Sequence, residues 1–526
     1  MPIRMTDDPK DPNQQDFNDD SGGGGNRPNL PGGGGGGLGA LLPLLLGLFK
    51  GKGILVLLVL VVGGYFLLGK GGGGCNLAEI AQSAFSQSGY SFNPAEFNKA
   101  SVYEGLEDND SKNPLPEAVS LLRFAPDRGD QGQQGSCVAW SCAYGAQTVL
   151  TAAATHQDPN QIRFSPSYLY NQIKLDGCQG SYLQRAMEAM SANGGVPLSD
   201  YPYSDQDCDR EPSSTDKQKG KQNVIHGFSR LTNGDNINKI SVRAIKEHLA
   251  KDAPVAIGMM VGQSFMQDMM GRELWQPSGM DASQVGMGGH AMCVIGYDDR
   301  KFGGAFQIMN SWGSQWGKNG VAWVRYGDFQ NYVKEAYGID PLPKRTEVAS
   351  VPLECSIGLV SNDTKQYIRL RNAGSNNFQT IEPIKAGTRF KVEIKNETEC
   401  YIYIFGSETD GSSYVLFPYS PKHYPYCGIT GYRLFPKDQS LTADSVGTRD
   451  YIAIVVSKEA LDYDQLNRTI SSTPGSSYAD KVNQALRSMT IRSARFNNTA
   501  DGAIYFKVDA NDNKAVASIV AFDKVP

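Results

Sequence analysis

The most informative part of this chain is Asp130-Gln-Gly-Gln-Gln-Gly-Ser-Cys137-Val-Ala-Trp-Ser141, followed by an alanine-rich, helix-prone run from Cys142 to Ala154. A cysteine in the first turn of a helix lies at the positive end of the helix dipole, which lowers the pKa of the thiol and favours the nucleophilic thiolate. Gln131 is placed to donate its side-chain amide to an oxyanion, together with the Cys137 backbone N–H. The stretch indicates a nucleophilic cysteine, although a single buried cysteine at a helix start is more often structural.

Two later motifs supply the partners that such a cysteine needs. Gly288-Gly-His290-Ala-Met-Cys-Val-Ile-Gly-Tyr297 places a histidine at the start of an apolar, strand-like run. Phe306-Gln-Ile-Met-Asn310-Ser-Trp-Gly-Ser-Gln-Trp-Gly317 ends a second such run on Asn310. The asparagine amide can accept a hydrogen bond from the imidazole and so select the ring nitrogen that faces the thiol. Because the chain has only five histidines, few residues other than His290 are available for this chemistry.

These three motifs, in this order, resemble those of the papain-like cysteine peptidases. His290 lies 153 residues after Cys137, slightly beyond the roughly 130–150 residues typical of the family. Three shorter segments match further landmarks of the family, namely Phe164-Ser-Pro-Ser-Tyr-Leu169, Cys178-Gln-Gly-Ser181 and Tyr201-Pro-Tyr203. The resemblance implies an α+β fold of two lobes over residues 115–343, one helical and one similar to a β-barrel.

The resemblance also implies roles for eight residues. Four would be catalytic: Cys137 as nucleophile, His290 as general base and acid, Asn310 as the group that orients the histidine, and Gln131 as oxyanion donor. Four would bind substrate: Gly180 and Ser181 on the wall that pairs with extended peptide backbone, Gly289 beside the base, and Trp312 as an aromatic shield over the contact between Asn310 and His290.

The chain departs from the family pattern in three ways. Gln134 stands where the family usually has a cysteine that is disulfide-bonded to the cysteine of the cleft wall, here Cys178. A bond between Cys178 and Cys208 is one alternative, which the sequence leaves open. Val138 replaces the aromatic residue that commonly follows the nucleophile. The long inhibitory pro-segment of eukaryotic members is not recognisable in residues 71–114, a linker or short pro-segment, so activation by removal of a pro-segment is not expected.

The N-terminal part of the chain predicts a disordered segment followed by a membrane anchor. Residues 1–37 are rich in Gly, Asp and Asn and are expected to be disordered. Residues 38–70 contain the uncharged run Ile54–Leu68, which predicts one transmembrane helix over about residues 53–69. A buried core helix and a cleaved signal peptide are the alternatives. Lys50 and Lys52 precede the run, and this favours a cytoplasmic N-terminus and an extracytoplasmic catalytic domain, in a periplasm or at a cell surface.

The C-terminal part of the chain predicts a β-rich accessory domain over residues 350–526. Short stretches that alternate between apolar and polar residues, such as Phe390–Ile394 and Tyr401–Phe405, are separated by Gly, Asn, Asp and Ser. The run from Tyr401–Phe405 through Asp410-Gly411 to Leu416-Phe-Pro418 resembles, more weakly, an uncharacterised β-rich domain found behind peptidase domains in bacterial proteins. No ligand of this domain is indicated.

Composition excludes several classes of function. The net charge of −5 and a pI near 5.7 provide no basic surface for nucleic acid. The nine cysteines show no CxxC spacing, so no metal site and no cofactor is expected. The sequence thus predicts a membrane-tethered cysteine peptidase that hydrolyses peptide or protein substrates through a thioester acyl-enzyme. The alternatives are a catalytically idle scaffold that binds peptides, and a transpeptidase or amidase of the same fold.

Overall fold

The structure of this protein is a computed structural model that describes residues 3–8, 89–282, 287–342, 352–491, 493–509 and 514–526. These residues belong to one compact unit, which comprises residues 1–9 and 86–526. The membrane segment predicted at residues 38–70 and most of the predicted disordered segment lie outside the described residues. None of the helices in the described part of the chain has the length and apolar character that a membrane crossing requires.

The N-terminal end differs from the prediction of disorder. Ile3–Asp7 form a strand, β1, that pairs with residues 439–443 of the C-terminal domain. The local composition of this segment did not reveal the strand, because only two of its five residues are apolar and its partner lies more than 400 residues away in the chain.

The first lobe of residues 115–343, the predicted catalytic region, is helical. Its central helical rod consists of a first turn that starts at Cys137, a π-helical stretch over Trp140–Gln147 and a final α-helix, and every residue from 137 to 150 is buried. The helices of the whole catalytic region and its N-terminal extension are α1 (Pro94–Phe97), α2 (Cys137–Ala139), α3 (Thr148–Thr155), α4 (Pro159–Ile162), α5 (Pro166–Ile173), α6 (Leu183–Asn193), α7 (Ser214–Gly220), α8 (Val242–Leu249), α9 (Gln263–Met266), α10 (Gly279–Ala282) and α11 (Tyr326–Tyr332). Short 3₁₀ turns lie at Leu122–Phe124, Asp176–Cys178, Lys221–Asn223 and Lys301–Gly303.

The second lobe is a seven-stranded antiparallel sheet with the order β3-β10-β6-β7-β8-β9, to which β2 adds on β7. A separate hairpin is formed by β4 and β5. The strands are β2 (Ala118–Ser120), β3 (Phe228–Arg230), β4 (Thr232–Asn233), β5 (Asn236–Ile240), β6 (Val255–Val261), β7 (Gly288–Asp298), β8 (Ala305–Met309), β9 (Val321–Arg325) and β10 (Val333–Ile339). The long strand β7 begins at the glycines before His290, so this lobe carries the predicted base.

The C-terminal domain is β-rich, as the alternating pattern predicts. It contains β11 (Leu353–Ser361), β12 (Tyr367–Ile368), β13 (Leu370–Gly374), β14 (Asn377–Thr380), β15 (Ile384–Lys385), β16 (Arg389–Asn396), β17 (Cys400–Ser407), β18 (Ser413–Phe417), β19 (Tyr426–Cys427), β20 (Gly431–Phe435), β21 (Gln439–Ala443), β22 (Arg449–Ser457), β23 (Phe496–Asn498), β24 (Ile504–Val508) and β25 (Ala515–Val525), with helices α12 (Tyr463–Ser472) and α13 (Tyr478–Ala485). One sheet has the order β1-β21-β16-β11-β24-β23 and the other β13-β14-β25-β22-β17-β18. The remaining four strands pair at the sides of these two sheets.

The core of this domain follows from the two-residue period of its strands. In β22, Ile452 and Ile454 point into the core shared by the two sheets, whereas Ala453 and Val455 point to the opposite face, which α12 and α13 cover. The central strands of the second sheet, β17, β22 and β25, are therefore buried on both faces, and most of their residues are apolar.

Residues 98–113, which we call the strap, connect the catalytic region to the C-terminal domain. The Val102 N–H donates to the Lys422 carbonyl at 2.6 Å, and the Glu107 N–H donates to the Tyr432 carbonyl at 2.8 Å. On the catalytic side, the Tyr103 N–H donates to the Arg230 carbonyl at 3.1 Å. The strap thus forms backbone hydrogen bonds to both parts of the unit.

A fully buried guanidinium fastens the strap to the C-terminal domain. Arg433 donates from Nε to the Glu104 carbonyl at 3.0 Å, from one terminal nitrogen to Asn396 Oδ1 at 2.7 Å, and from the other to the Ile429 carbonyl at 2.6 Å. Loss of this side chain leaves three buried acceptors without their donor, and each such acceptor costs about 1–3 kcal/mol.

We therefore expect Arg433→Ala to lower the free energy of unfolding by about 3 kcal/mol or more, measured by chemical denaturation. The matched control is Arg449→Ala, which removes an exposed arginine paired with Asp523 and should cost less than about 1 kcal/mol. Equal losses for the two variants would contradict this role of Arg433.

Candidate active site

The helical lobe places Cys137 against the sheet lobe. Cys137 is the first residue of the buried rod and is itself fully buried. One turn further on, the Ser141 hydroxyl donates to the Met292 carbonyl of β7 at 2.6 Å. This contact holds the helix start beside β7, and the Ala291 N–H points at Cys137 Sγ from 3.4 Å.

His290 and Asn310 lie together as the sequence predicts. His290 begins the buried part of β7, Asn310 directly follows β8, and the two strands are neighbours in the sheet. His290 Nε2 lies 2.7 Å from Asn310 Oδ1, which makes Nε2 the protonated donor and leaves Nδ1 as the nitrogen that takes or gives a proton. Nδ1 has no hydrogen-bond partner among the described residues. Trp312 stacks on the imidazole with ring centroids 4.2 Å apart, so it covers the hydrogen bond to Asn310.

Both reacting groups are uncharged in this form of the protein. Burial raises the pKa of the Cys137 thiol to about 12, although the N–H groups of Ala291 and Gly89 act in the opposite direction. Burial lowers the pKa of the His290 imidazole to about 4, although its hydrogen bond to Asn310 opposes the shift. At neutral pH the thiol keeps its proton and the imidazole carries no charge. Burial thus disfavours the thiolate–imidazolium pair that attacks a carbonyl.

Gln131 lies in a hydrogen-bond network that fixes its side-chain amide. Its Nε2 donates to the Gln134 carbonyl at 2.9 Å, and its Oε1 accepts a hydrogen bond from the Ser311 hydroxyl at 2.7 Å. The Tyr203 hydroxyl donates to the Gln131 carbonyl at 2.7 Å. The network connects the segment before the nucleophile to the segment after Asn310, and it holds the predicted oxyanion donor in one orientation.

The predicted cleft wall is stabilised by a disulfide. Cys178 is bonded to Cys208, which is the pairing that the sequence left open, and Gln134 is not involved. Among the described residues, one group of possible metal ligands comes together, namely Cys178, Cys208 and Asp209. Since both sulfurs belong to the disulfide, that group retains a single exposed carboxylate for a metal ion.

The cleft is occupied by residues 89–91 of the chain itself. The Ser181 N–H donates to the Gly89 carbonyl at 2.9 Å, and the Ser91 N–H donates to the Ser181 carbonyl at 3.2 Å. Gly180 packs against Gly89, and Gly289 packs against the Tyr90 backbone. The sequence interpreted residues 71–114 as a linker or short pro-segment, and the structure places three of these residues in the predicted cleft. The segment was not recognised because three residues carry the contact, and they match no long helical pro-segment.

The side chain of Tyr90 fills a pocket beside the thiol. A Cβ atom at Gly258 would lie 2.2 Å from the Tyr90 ring, and one at Gly289 would lie 2.4 Å from the Tyr90 carbonyl oxygen, so both glycines make room for this residue. The buried carboxyl of Glu335 faces the hydroxyls of Tyr90 and Tyr337, although neither hydroxyl forms a hydrogen bond of good geometry. Burial raises the pKa of Glu335 to about 8. The Glu335 carboxyl thus forms the floor of the pocket, which we call the acidic floor, and it is mostly protonated at neutral pH.

Tyr90 and Glu335 are the site residues that sequence reasoning missed. The signal for Tyr90 is weak, but Asn93-Pro94 just after it is a helix-start pattern that indicates ordered structure rather than a linker. Glu335 is a buried acidic residue in strand β10, whose other residues, apart from Lys334, are uncharged and buried. A buried acid in such a strand is itself unusual and indicates a functional position.

Comparison with known proteins identifies this region. A sequence profile described as "Papain family cysteine protease" matches residues 126–339. Residues 126–339 form a papain-family cysteine protease domain. Within this domain, the structure brings together all eight residues that the sequence analysis selected, and the match lies inside the predicted boundaries of 115–343.

Individual relatives of the papain-family domain are moderately similar. The chain is 29% identical over 211 residues to cathepsin K of Gallus gallus, covering 39% of this chain and 57% of the relative. It is 26% identical over 208 residues to cysteine proteinase 3 of Entamoeba histolytica, covering 39% of this chain and 61% of the relative. The chain thus spans less than two thirds of the length of these relatives. Xylellain, a cysteine protease from Xylella fastidiosa, is 22% identical with a TM-score of 0.40, covering 49% of this chain and 97% of the solved structure.

The buried papain-family site predicts a slow reaction of its thiol with alkylating reagents. Tyr90→Gly removes the side chain that fills the pocket, and we expect water to enter and the pKa of Cys137 to fall towards its ordinary value. Each unit of decrease raises the thiolate fraction at pH 7 about tenfold, so alkylation of Cys137 by iodoacetamide should become at least about tenfold faster.

The rate can be followed by mass spectrometry of the Cys137 peptide between pH 6 and 10. The half-rate pH should be lower in Tyr90→Gly than in the unaltered protein. Phe92→Gly is the matched control, because Phe92 directly follows residues 89–91 but is 37% exposed. An acceleration of the same size in both variants would contradict the pocket assignment.

Proposed function

We propose that this protein is a cysteine peptidase that hydrolyses peptide bonds through a thioester acyl-enzyme, with Cys137 as nucleophile. The observation that carries the proposal is the arrangement at the lobe interface, where Cys137 Sγ lies beside the N–H after His290 and His290 is hydrogen-bonded to Asn310 at 2.7 Å. A cysteine, a histidine and an orienting amide in this relation perform acyl transfer.

The proposed reaction begins when His290 Nδ1 accepts the thiol proton and Cys137 Sγ attacks the scissile carbonyl carbon. The oxyanion of the tetrahedral intermediate is stabilised by the Cys137 N–H and the Gln131 amide. His290 then gives its proton to the leaving amine, which departs as the C–N bond breaks. Water, deprotonated by His290, hydrolyses the thioester and releases the acid and the free thiol. Asn310 keeps the imidazole in one orientation throughout, and Trp312 keeps water from that hydrogen bond.

The proposed substrates are extended peptides or unfolded protein segments. Ser181 offers both its N–H and its carbonyl to a backbone that lies in the cleft, as its two hydrogen bonds to residues 89 and 91 illustrate. Backbone pairing of this kind tolerates many side-chain sequences, and the neighbouring pockets supply selectivity. In the described form the resident segment takes this place, so we propose that hydrolysis requires residues 89–91 to leave the cleft.

We further propose that the apolar residues 38–70 attach the protein to a membrane and that the peptidase domain lies on the extracytoplasmic side. For a single crossing by one helix, which is the expectation for this anchor, Lys50 and Lys52 support this side. A disulfide at Cys178–Cys208 supports it as well, since disulfides persist in oxidising compartments. The resemblance of the C-terminal domain to domains behind bacterial peptidases supports a bacterial, membrane-anchored type.

The test of the catalytic proposal uses the Tyr90→Gly protein, in which no side chain at position 90 fills the pocket beside the thiol. Adding Cys137→Ala should reduce hydrolysis of a fluorogenic peptide by at least about 10³-fold with no change in the unfolding transition, because one small side chain is removed. Adding Asn310→Ala should reduce kcat by about 10- to 100-fold, because the pair of reacting groups persists and only its orientation loosens. His290→Ala is the reference for complete loss of the base.

Two results would end the catalytic proposal. One is hydrolysis by the Cys137→Ala variant at an undiminished rate. The other is binding of the peptide with no hydrolysis by the Tyr90→Gly protein, which would make the chain a peptide-binding scaffold.

The membrane proposal predicts that an internal deletion of residues 38–70 moves the protein from the membrane fraction to the soluble fraction. Strand β1 and the described unit are retained in this deletion, so the unfolding transition should remain. Sedimentation of cell lysates, with immunodetection of the C-terminal domain, measures the shift. Membrane retention of the deleted protein, also after a high-salt wash, would show that the apolar run is not the anchor.

A further inference from the structure

The N-terminal strand β1 occupies an edge of the C-terminal domain. It pairs antiparallel with β21 over five residues, from Ile3 opposite Ala443 to Asp7 opposite Gln439. β1 is the last strand on this side of its sheet, so β21 would be the edge strand without it. An edge strand presents unpaired N–H and carbonyl groups that recruit an extended segment, and this is how many domains bind peptides.

The first anchor of the segment is apolar. Ile3 is 1% exposed and belongs to the core between the two sheets of the C-terminal domain. The Ile3 N–H donates to the Tyr414 hydroxyl at 3.3 Å, and that hydroxyl donates to the Ile3 carbonyl at 3.4 Å. Tyr414 thus recognises the backbone at the position where the isoleucine side chain enters the core.

The second anchor is ionic and lies at the other end of the segment. The Asp8 carboxylate accepts hydrogen bonds from Lys391 Nζ at 2.6 Å, from the Asn362 amide at 3.0 Å and from the Ser440 hydroxyl. Lys391 is 5% exposed, and a buried ammonium needs a charged partner. Within the described residues, the ion pair that Lys391 forms is the one with Asp8.

The neighbouring Asp7 provides a contrast within the same segment. It is exposed, and its carboxylate accepts a hydrogen bond from the Gln439 amide at 2.9 Å. The site therefore discriminates between two adjacent aspartates. The site recognises an apolar residue at the first strand position and a carboxylate five positions later.

We propose that this edge of the C-terminal domain is a strand-docking site whose ligand is the chain's own N-terminal segment, residues 3–8. The segment is a non-covalent tether: it stays bound to the C-terminal domain when the chain between Asp8 and Gly89 is cut. This function is separate from peptide hydrolysis and holds whether or not the chain is an active peptidase.

The docking site has a consequence for membrane topology. Asp8 and Gly89 belong to one compact unit, so the chain between them must leave and return on the same side of any membrane that it enters. A single crossing would separate β1 from β21. The proposal therefore replaces the cytoplasmic N-terminus expected from Lys50 and Lys52 with an N-terminus on the same side as the peptidase domain.

The tether can be tested by cutting the full chain. The protein carries Cys137→Ala to prevent self-cleavage, a specific protease site inserted in the glycine run 71–74, and a C-terminal affinity tag. After cleavage in detergent, the N-terminal fragment should remain on the affinity resin. Asp8→Asn should reduce its retention about tenfold or more, since hydrogen bonds to a charged group are lost. Asp7→Asn, the matched control, should retain the fragment.

Loss of the unaltered fragment on washing would overturn the proposal. Equal loss in Asp7→Asn and Asp8→Asn would overturn the recognition of Asp8. Because the protein is catalytically inactive in every arm, failure of the peptidase proposal does not affect these outcomes.

The topology is tested separately by a disulfide in intact membranes. The hydroxyls of Thr6 and Thr442 are 2.7 Å apart, so Thr6→Cys with Thr442→Cys, again with Cys137→Ala, should form a disulfide under mild oxidation. Mass spectrometry of the linked peptides identifies it among the native cysteines. In the single variant Thr6→Cys, labelling of the introduced thiol only from the side opposite the peptidase domain would overturn the shared-side topology. A link that joins two differently tagged chains would overturn the assignment of the site to the chain's own N-terminus.

Discussion

The contact between the Cys137 helix and strand β7 is the one on which the rest of the catalytic region depends. The helix start and β7 belong to different lobes, and the Ser141 hydroxyl bonded to Met292 joins them one turn away from the thiol. Because a helix and a strand are stiff, this short contact also sets the position of the sulfur against Ala291 and of His290 beside it. The orienting asparagine and its covering tryptophan follow from the next strand of the same sheet.

The burial that assembles the site also favours the uncharged forms of its two candidate reacting groups. Removal from water raises the pKa of the Cys137 thiol and lowers the pKa of the His290 imidazole, because burial disfavours the charged form of each. The segment around Tyr90 contributes to this burial, since Gly89 reaches the sulfur and the tyrosine ring fills the adjoining pocket above Glu335.

The C-terminal domain contacts the chain on both sides of the apolar run. It binds the strap, residues 98–113, through backbone hydrogen bonds and through the buried Arg433. It also binds the first residues of the chain through β21 and Lys391. The C-terminal domain thus binds two described segments of the N-terminal part of the chain, residues 3–8 and the strap.

The sequence by itself determined the features that depend on local pattern. A cysteine at a helix start, a histidine after glycines at a strand start and an asparagine at a strand end are each recognisable within a dozen residues, and their order indicated the papain-like lobes. The two-residue alternation beyond residue 350 likewise predicted the β-rich domain, because one face of each strand must be buried. The roles assigned to the eight site residues remain predictions, although the fold brings these residues together.

Only the tertiary structure decided which distant segments meet. The pairing of Cys178 with Cys208, the entry of Tyr90 into the cleft and the acidic floor at Glu335 are contacts between segments with no shared local pattern. Strand β1 is the clearest case, since a polar five-residue segment becomes a strand by pairing with β21. The physical reason is that a short edge strand gains its stability from the hydrogen bonds and the core of its partner, and its own sequence carries little trace of either.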